Sequence, residues 1–350
     1  MKCYFKRIFA VLTAALLLAS LSVAASARVD IDELIPGGSA FGVKFFTSGA
    51  VVLGTTGVET AEGLCEPAKD AGIKAGDVIT KVGGAEFTNS DRFTQLVQGC
   101  GGKDISISYL RDGKEFTVSV KPARDIENGV YRIGVFIKDS TAGIGTVTFI
   151  DPETLDFGGL GHGIYDSQTG TLLPLSRGAV VKVDIKDIVK SERNSPGELH
   201  GDFGKVLQGE LWSNSQEGVF GQLKSLPEGS LQPIPVADWD EIEEGSATIY
   251  TTLSGNEVRE YAIEIEEIFS SSGSTKNFGI RVTDEELLSL TGGIVQGMSG
   301  SPIIQNGRLV GAVTHVLVND PTRGYGIFIE NMLNSAFDAS CFCDDMAKAA

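Results

Sequence analysis

The chain has 350 residues, of which 42% are hydrophobic and 21% are charged, a balance typical of a folded protein with a sizeable core. Its 44 glycines and 11 prolines favour turn-rich β-structure over a helical bundle. The formal charge of −17 would repel phosphate backbones, which argues against nucleic acid as a partner.

The first 27 residues have the features of a secretory signal. Lys2, Lys6 and Arg7 precede an uncharged stretch at 8–27 that ends in Ala-Ser-Ala, a typical cleavage site. The stretch is also long enough to remain as a membrane anchor. With either outcome, the rest of the chain is expected outside the cytoplasm. Residues 28–36 are interpreted as a linker.

Residues 37–124 have the pattern of a compact α+β domain. The predicted strands are 40–46, 77–82, 105–110 and 115–120. Residues 91–98 predict a short helix with Ser90 as its cap. Asp112-Gly113 between two alternating stretches favours a tight β-hairpin. Cys65 and Cys100 are a candidate disulfide pair.

Two motifs make this module similar to the PDZ domains of secreted bacterial proteases. Ala40-Phe41-Gly42-Val43 fits the x-Φ-G-Φ loop, with alanine at a position where glycine is more usual, and residues 67–79 fit the shared segment that ends in Ala-Gly-Asp-Val-Ile. The resemblance implies that the amides of Ala40, Phe41, Gly42 and Val43 bind a peptide carboxylate, and that the next strand offers its edge to the peptide. The alternative is a PDZ fold that serves only as a rigid spacer.

After residue 125 the pattern changes to short strands between glycine-rich turns. The predicted strands are 131–137, 145–150, 179–185, 247–253, 257–268, 279–282 and 309–316. Gly255-Asn256 separates two of them and indicates a second hairpin. Little amphipathic helix is predicted before 331–337. Residues 125–345 are therefore expected to form a barrel or sandwich domain, followed by a short tail at 346–350.

Gln-Gly-Met-Ser-Gly-Ser-Pro at 296–302 is the densest local signal for chemistry. A serine between glycines can sit on a tight turn with Oγ exposed, and the amides of Gly297 and Ser299 can converge to form an oxyanion hole. The spacing does not fit G-x-S-x-G, which disfavours an α/β-hydrolase. It resembles the G-x-S-G-x-P pattern of trypsin-like double-barrel proteases, with Ser299 as the nucleophile.

A serine nucleophile needs a base and a group that orients it. The candidate bases are His162, His315 and His200, and the glycines around His162 favour that residue. The candidate acids are Asp166, Asp284, Glu285 and Glu286, among which the residues alone do not choose. Scattered histidines without an H-E-x-x-H motif argue against a metal site.

Over residues 35–340 the chain resembles the SpoIVB-type S55 serine peptidases. The shared features are the amino-terminal signal or anchor, the PDZ module, Gly-His-Gly-Ile at 161–164, and the long blocks at 291–307 and 311–326. The resemblance implies that His162 is the general base, Ser299 the nucleophile and Asp284 the orienting acid. It also implies a PDZ domain followed by a trypsin-like double β-barrel, and therefore a mainly β protein. The tail with Cys341 and Cys343 departs from the family pattern.

The function implied by this resemblance is that of a secreted, self-processing serine endopeptidase without a cofactor. It would cleave the extracytoplasmic part of a regulator of a membrane-embedded protease during sporulation, in the space between mother cell and forespore. The expected partners are a peptide or protein substrate and the chain's own amino- or carboxyl-terminal segment. Two alternatives are a non-catalytic PDZ scaffold that binds the C-termini of membrane proteins, and a general envelope quality-control protease.

Overall fold

The described part of the chain consists mainly of antiparallel strands that surround three apolar cores. A computed structural model describes residues 33–87, 89–269 and 274–336. The predicted signal or anchor at 1–27 lies outside these residues, as do the predicted tail at 346–350 and Cys341 and Cys343.

The first part of the described chain contains the PDZ-like module. Its elements are β1 Glu33–Pro36, β2 Ala40–Thr55, β3 Val58–Thr60, β4 Gly63–Cys65, α1 Pro67–Asp70, β5 Val78–Val82, β6 Ala85–Glu86, α2 Ser90–Gly99, β7 Ile105–Arg111, β8 Lys114–Val120 and β9 Ala123–Arg124. Strands β5, β7 and β8 extend a sheet from the second half of β2, and Phe93 and Val97 of α2 share a core with Ile79 and Ile107.

The middle of the chain supplies long strands. They are β10 Tyr131–Arg132, β11 Val135–Ile150, β12 Asp156–Gly159, β13 Leu175–Val189, β14 Glu198–Asn214, β15 Val219–Leu223 and β16 Ile234–Pro235. Strands β2, β11, β12, β15, β14 and β13 pair in that order, and β13 pairs again with β2. These pairings close a first barrel.

The last part of the described chain forms a second closed barrel. Its elements are a 3₁₀ turn Trp239–Glu241, β17 Gly245–Thr252, β18 Val258–Ile268, β19 Phe278–Val282, α3 Glu285–Thr291, β20 Pro302–Gln305, β21 Arg308–Leu317, β22 Asp320–Phe328 and a helix over residues 329–336. The barrel order is β17-β18-β19-β22-β21-β20. On β18, alternate residues Tyr261, Ile263 and Ile265 are buried in its core, as a period of two requires. The predicted mainly β fold with a double barrel is confirmed.

Residues 40–43 do not form the predicted carboxylate-binding loop. They belong to β2, where Gly42 pairs with Ile144 of β11 on one side and with Val181 of β13 on the other. Phe41 and Val43 are buried in the first barrel. Because both edges of this part of β2 are paired, its amides are not available to a peptide carboxylate. The predicted PDZ range 37–124 thus includes a strand of the first barrel.

Of three predictions made for this region, the structure shows the hairpin turn, but it differs from the predicted helix cap and from the candidate disulfide. Asp112 and Gly113 both have positive φ, of 51° and 72°, as a tight hairpin turn between β7 and β8 requires. The cap of α2 is Asn89, whose side chain accepts the N–H of Arg92, rather than the predicted Ser90. Cys65 and Cys100 are free thiols and do not form the candidate disulfide.

Candidate active site

Ser299 lies on a tight loop between α3 and β20 that depends on glycine. Gly297 and Gly300 have φ angles of 102° and 94°, which residues with side chains rarely adopt. A Cβ on Gly300 would lie 2.1 Å from the carbonyl oxygen of Thr146, so no larger residue fits there. Ser299 is half-buried, and its Oγ donates a 2.9 Å hydrogen bond to the carbonyl of Thr314.

The first barrel holds this loop by its backbone carbonyls. Thr146 and Thr148 of β11 are buried, and their hydroxyls donate 2.8 Å hydrogen bonds to the carbonyls of Gly297 and Gly300. The amide of Thr146 also donates to the carbonyl of Ser299, at 3.0 Å. Since each bond joins the first barrel to the second, the position of Ser299 is fixed at the junction of the two.

Two amides of the loop remain available for an anion. Within the described ranges, the N–H groups of Gly297 and Ser299 donate to no protein acceptor. The carbonyl of Gln296 points towards β14, where it accepts the N–H of Leu199 at 2.9 Å. Because the peptide bond between Gln296 and Gly297 is trans, the N–H of Gly297 points the opposite way, away from β14. The two amides predicted to form an oxyanion hole are therefore unpaired.

His162 follows β12 on a loop with two consecutive left-handed residues, Leu160 and Gly161, at φ of 69° and 65°. Leu160 is buried, and its side chain packs directly against Gly145. A Cβ at residue 145 would lie 2.0 Å from the leucine side chain, so this packing requires glycine. The Nδ1 of His162 lies 2.8 Å from the carbonyl of Gly163. A proton on Nδ1 satisfies this carbonyl and leaves Nε2 unprotonated.

The ring of His162 packs against the ring of His315, with centroids 5.1 Å apart and planes inclined by 38°. Burial disfavours the imidazolium and lowers the pKa of His162 below its ordinary value of 6.5, while the carbonyl of Gly163 acts in the opposite direction. Burial, followed by the charges of His162 and Lys276, lowers the pKa of His315 to about 4. Both imidazoles are therefore neutral at neutral pH.

Asn214 fixes the loop that carries His162, and no sequence motif pointed to this residue. It ends β14, and its Oδ1 accepts the N–H of Ile164 at 2.8 Å. Its Nδ2 donates to the carbonyls of Ile164 and Leu173, at 3.0 Å and 2.8 Å. One amide side chain thus replaces a strand partner for the residues just after His162.

His162 and Ser299 line one cavity of about 370 Å³. Ile144, Leu160 and Ile164 contribute apolar wall to the same cavity. The arrangement places a nucleophile, a neutral imidazole and two unpaired amides around a space with apolar surface. It can therefore accept a peptide carbonyl and hold an adjacent apolar side chain.

Asp284 is not brought to His162, which corrects the role that the family resemblance implies. Its carboxylate accepts the N–H of Leu287 at 2.9 Å and the N–H of Ala262 at 3.3 Å. It is the N-cap of α3, where a carboxylate satisfies an amide that has no partner within the helix. Across the described residues, no hydrogen bond joins Asp284 to His162.

The other candidates are also engaged away from His162. The buried Asp166 accepts the amides of Gln168 and Thr169 and contacts the Nζ of Lys138 at 3.4 Å. The remaining acids and the third histidine are on the surface: Glu285 is exposed, Glu286 pairs with Arg259, and His200 lies 3.5 Å from Glu198. Of the candidate residues, the structure brings together His162, His315, Ser299 and Gly297.

In the residues that the structure describes, no group of three or more His, Cys, Asp or Glu side chains is placed to hold a metal ion. Searched over the same residues, no helix has the length and apolar character needed to cross a membrane.

The two barrels, with a serine loop at their junction and a PDZ domain before the second, define a double β-barrel protein with a candidate serine active site. A family model described as SpoIVB peptidase S55 matches residues 129–333, and a PDZ domain model matches residues 63–121. Because the first match spans more than half of the chain, the protein belongs to the SpoIVB peptidase S55 family.

Individual relatives match shorter segments. The serine protease Do-like HtrA of Lactococcus lactis subsp. cremoris is 45% identical over 56 residues, which is 16% of this chain and 14% of that protein. The active form of the Rv3671c protease from M. tuberculosis is 16% identical, with 57% of this chain and 74% of that chain covered and a TM-score of 0.35. The PDZ domain of the SdrC-like protein Lmo2051 from Listeria monocytogenes is 25% identical, with 26% and 87% covered and a TM-score of 0.22. The chain spans a quarter or less of the length of the curated relatives that it matches.

Proposed function

We propose that this protein is a serine endopeptidase in which Ser299 is the nucleophile and His162 the general base. The observation that carries the proposal is the cavity shared by Ser299 and His162, next to the unpaired amides of Gly297 and Ser299. The contact of Nδ1 with the carbonyl of Gly163 supports Nε2 as the proton acceptor.

The reaction follows from these groups. The hydroxyl of Ser299 turns from the carbonyl of Thr314 towards Nε2 of His162, which takes its proton while Oγ attacks the scissile carbonyl. The amides of Gly297 and Ser299 bind the oxyanion that forms. His162 then gives the proton to the leaving amine, and water hydrolyses the acyl-enzyme by the same steps in reverse order.

An open strand edge beside Ser299 supports extended binding of the substrate. Strand β21 pairs with β22 up to Leu317, whereas on its other side β20 reaches only to Ala312. Over the described residues, positions 315–317 therefore have one edge without a strand partner. A substrate that adds to this edge would be held by main-chain hydrogen bonds, which suits cleavage within a chain.

The PDZ module is proposed to bind a peptide at an edge other than the predicted one. Residues 135–138 of β11 pair with the second half of β2, and Val135 and Ile137 pack against the core that contains residues of α2. A cavity of about 390 Å³ lies there, lined by Phe93 and Val97 of α2 and by Phe136. A peptide between α2 and the outer edge of β11 would combine main-chain pairing with an apolar pocket, which is the PDZ mode of recognition.

The biological role is proposed from the family. We propose that the peptidase acts outside the cytoplasm, processes itself, and then cleaves the extracytoplasmic part of a regulator of a membrane-embedded protease during sporulation. The blocks at 291–307 and 311–326 support this role by resemblance, and the signal-like residues 1–27 support the location.

The test compares the purified full chain with its Ser299→Ala variant after incubation at neutral pH. Intact mass, N-terminal sequencing of fragments and labelling by a fluorophosphonate are recorded for both. Fragments and label in the parent alone are the expected result. If neither fragments nor label appear, the chain acts as a PDZ scaffold. Rapid degradation of unfolded casein would favour a quality-control protease over a signalling one.

A further inference from the structure

Strand β11 has an open edge that runs from one cavity to another. On one side it pairs with β2 from Val135 to Thr146, whereas on the other side its pairing with β12 begins only at Val147. Over residues 135–144, none of which is buried, the outer edge has no strand partner in the described part of the chain. This edge begins at the cavity of about 390 Å³ beside α2 and reaches the cavity of about 370 Å³ that contains Ser299.

The end of this edge near Ser299 presents main-chain groups to the cavity. The N–H of Thr146 donates to the carbonyl of Ser299 at 3.0 Å, and its carbonyl accepts the N–H of Leu160 at 3.2 Å, so both groups point away from β2. In an antiparallel strand the same direction recurs at every second residue, which here means Ile144 and Ala142. Both residues line the cavity of Ser299, so an extended peptide can pair with them there.

The other end of the edge begins at a glycine turn whose amides lack acceptors. Within the described ranges, the N–H groups of Ile133 and Gly134 donate to no protein atom. Gly134 has a φ of 73°, and a Cβ there would lie 2.2 Å from the carbonyl oxygen of Thr56, so the turn requires glycine. The carbonyl of Gly134 accepts the N–H of Thr56 at 3.0 Å, and across the trans peptide bond the N–H of Val135 therefore points away from β2. Successive amides in such a turn can bind a carboxylate. The sequence Arg-Ile-Gly-Val at 132–135 also has the x-Φ-G-Φ pattern, like the segment of β2 for which a carboxylate-binding loop was predicted.

Helix α2 lies alongside β11 and supplies the wall of the first cavity. The carboxylate of Asp139 accepts the N–H and the hydroxyl of Ser90, at 2.6 Å and 2.8 Å, which attaches the start of α2 to the middle of β11. Further along the helix, Val97 and Gln98 line the cavity together with Gly134. The helix therefore runs from the middle of the strand back to the glycine turn.

We infer that β11 binds the carboxyl-terminal segment of a substrate as one continuous antiparallel strand, with the terminal carboxylate at the glycine turn and the scissile bond at Ser299. The inference rests on the proposed function and deepens it, because the substrate is then an extended polypeptide with a free C-terminus. The peptide runs antiparallel to β11 because its carboxylate lies at the start of the strand and Ser299 lies towards the end. The leaving amine becomes the amino end of the carboxyl-terminal fragment, and water supplies the oxygen that completes the other new carboxylate.

The length of the open edge sets the position of the cut. From Val135 to Ile144 the strand advances about nine residues, or about 30 Å at the usual rise of about 3.3 Å per residue. An antiparallel peptide matches the strand nearly residue for residue, and the irregularities in the register of β11 with β2 bend this path only locally. With one or two further residues between the partner of Ile144 and the scissile bond, the fragment released has about ten residues.

The test uses two libraries of random-sequence peptides of about 25 residues, long enough to span the open edge and both sides of the cut. The libraries differ only in that one ends in a carboxylate and the other in an amide. The full chain is incubated with each, and mass spectrometry gives the position and rate of every cut. We expect cuts in the acid library to cluster about ten residues from the carboxyl end. They should be about 10- to 100-fold faster than cuts at that distance in the amide library, the effect of hydrogen bonds to a charged group. Lengthening the peptides at the amino end should leave the distance to the carboxyl end unchanged.

Two pairs of variants address the strand edge and the carboxylate cavity separately. Ala142 is exposed and its N–H faces away from β2, so Ala142→Pro removes a group that pairs with the peptide and breaks no bond to β2. It should abolish the clustering, whereas Ala142→Val keeps the N–H and should retain it. Gln98→Glu places a negative charge at the carboxylate cavity and should bring the ratio of acid to amide rates down towards one. Gln98→Arg should keep that ratio at or above the parental value. Circular dichroism and melting temperature should show that each variant is folded.

The outcomes separate this inference from the proposed function. Cuts scattered along the peptides, equal rates for the acid and amide libraries, or a fixed distance from the amino end would each overturn the inference and leave Ser299 as the nucleophile. Parental clustering in both Ala142→Pro and Gln98→Glu would also overturn it, as would fluorophosphonate labelling of Ser299 without a cut in either library. Absence of both label and cuts, or cuts that survive Ser299→Ala, would instead contradict the proposed function.

Discussion

Replacing Thr146 by valine tests whether the first barrel holds the serine loop through its hydroxyl. Valine keeps the shape of the side chain but removes the 2.8 Å hydrogen bond to the carbonyl of Gly297, and both residues are buried. Leaving a buried carbonyl unpaired costs about 1–3 kcal/mol. For a chain of this size, that corresponds to a fall in melting temperature of roughly 1–4 °C.

The same substitution at Thr251 is a matched control of opposite sign. Thr251 is fully buried, yet its Oγ1 has no hydrogen-bond partner in the described part of the chain. Thr251→Val removes an unpaired polar atom and should raise the free energy of unfolding by about 1 kcal/mol. Both changes should be measured by urea and thermal unfolding in a Ser299→Ala background, which prevents self-cleavage.

The second measurement is the rate at which a fluorophosphonate labels Ser299, in variants that retain this serine. Thr146→Val should reduce it, because the carbonyl of Gly297 is one of the groups that fix the loop. Thr251→Val should leave it unchanged. If the two valine variants have equal stability and equal labelling rates, the hydroxyl of Thr146 does not hold the loop and the reasoning fails.

Three further outcomes are expected. Asp284→Ala should lower the free energy of unfolding by about 1 kcal/mol through loss of the α3 cap, whereas Asp284→Asn should keep it, as measured by urea unfolding. Gly300→Ala should abolish labelling and lower the melting temperature far more than Gly307→Ala, because a Cβ at residue 300 meets backbone at 2.1 Å whereas residue 307 has positive φ but open space. The pKa of His162 is lowered, so more of its imidazole should be neutral at pH 5.5 than the roughly one tenth expected for a pKa of 6.5. The labelling rate at pH 5.5 should therefore exceed about one tenth of its plateau value, and a rate at or below one tenth would contradict the burial argument.

The sequence predicted features whose cause is local. The positive φ angles of Asp112 and Gly113 follow from the residues themselves, and the glycines at 297 and 300 indicated the tight serine loop. The role of Asp284 was also readable, because an aspartate before Glu285 and Glu286, with a glycine at 292, is a pattern for helix start and stop.

Features that depend on distant pairing were not predictable. The apolar stretch at 40–46 correctly indicates a strand, but its partners lie roughly 100 to 140 residues later, at 140–146 and 177–182. Periodicity states which face of a strand is buried and does not state which strands flank it. The contacts of Asn214 with Ile164 and of His315 with His162 arise in the same way, from strands joined only by the fold.

The continuity of β2 and β11 has a practical consequence for how the protein can be dissected. Both strands run from the PDZ sheet into the barrel that carries His162, so the two modules have no hinge that could be cut. Deleting residues 37–124 would remove a barrel strand together with the PDZ domain. Loss of activity in such a deletion would therefore report a broken barrel and not the absence of a peptide-binding module. Point substitutions at exposed positions of α2 that line the cavity, such as Gln98→Arg, are the changes that can address the PDZ domain separately.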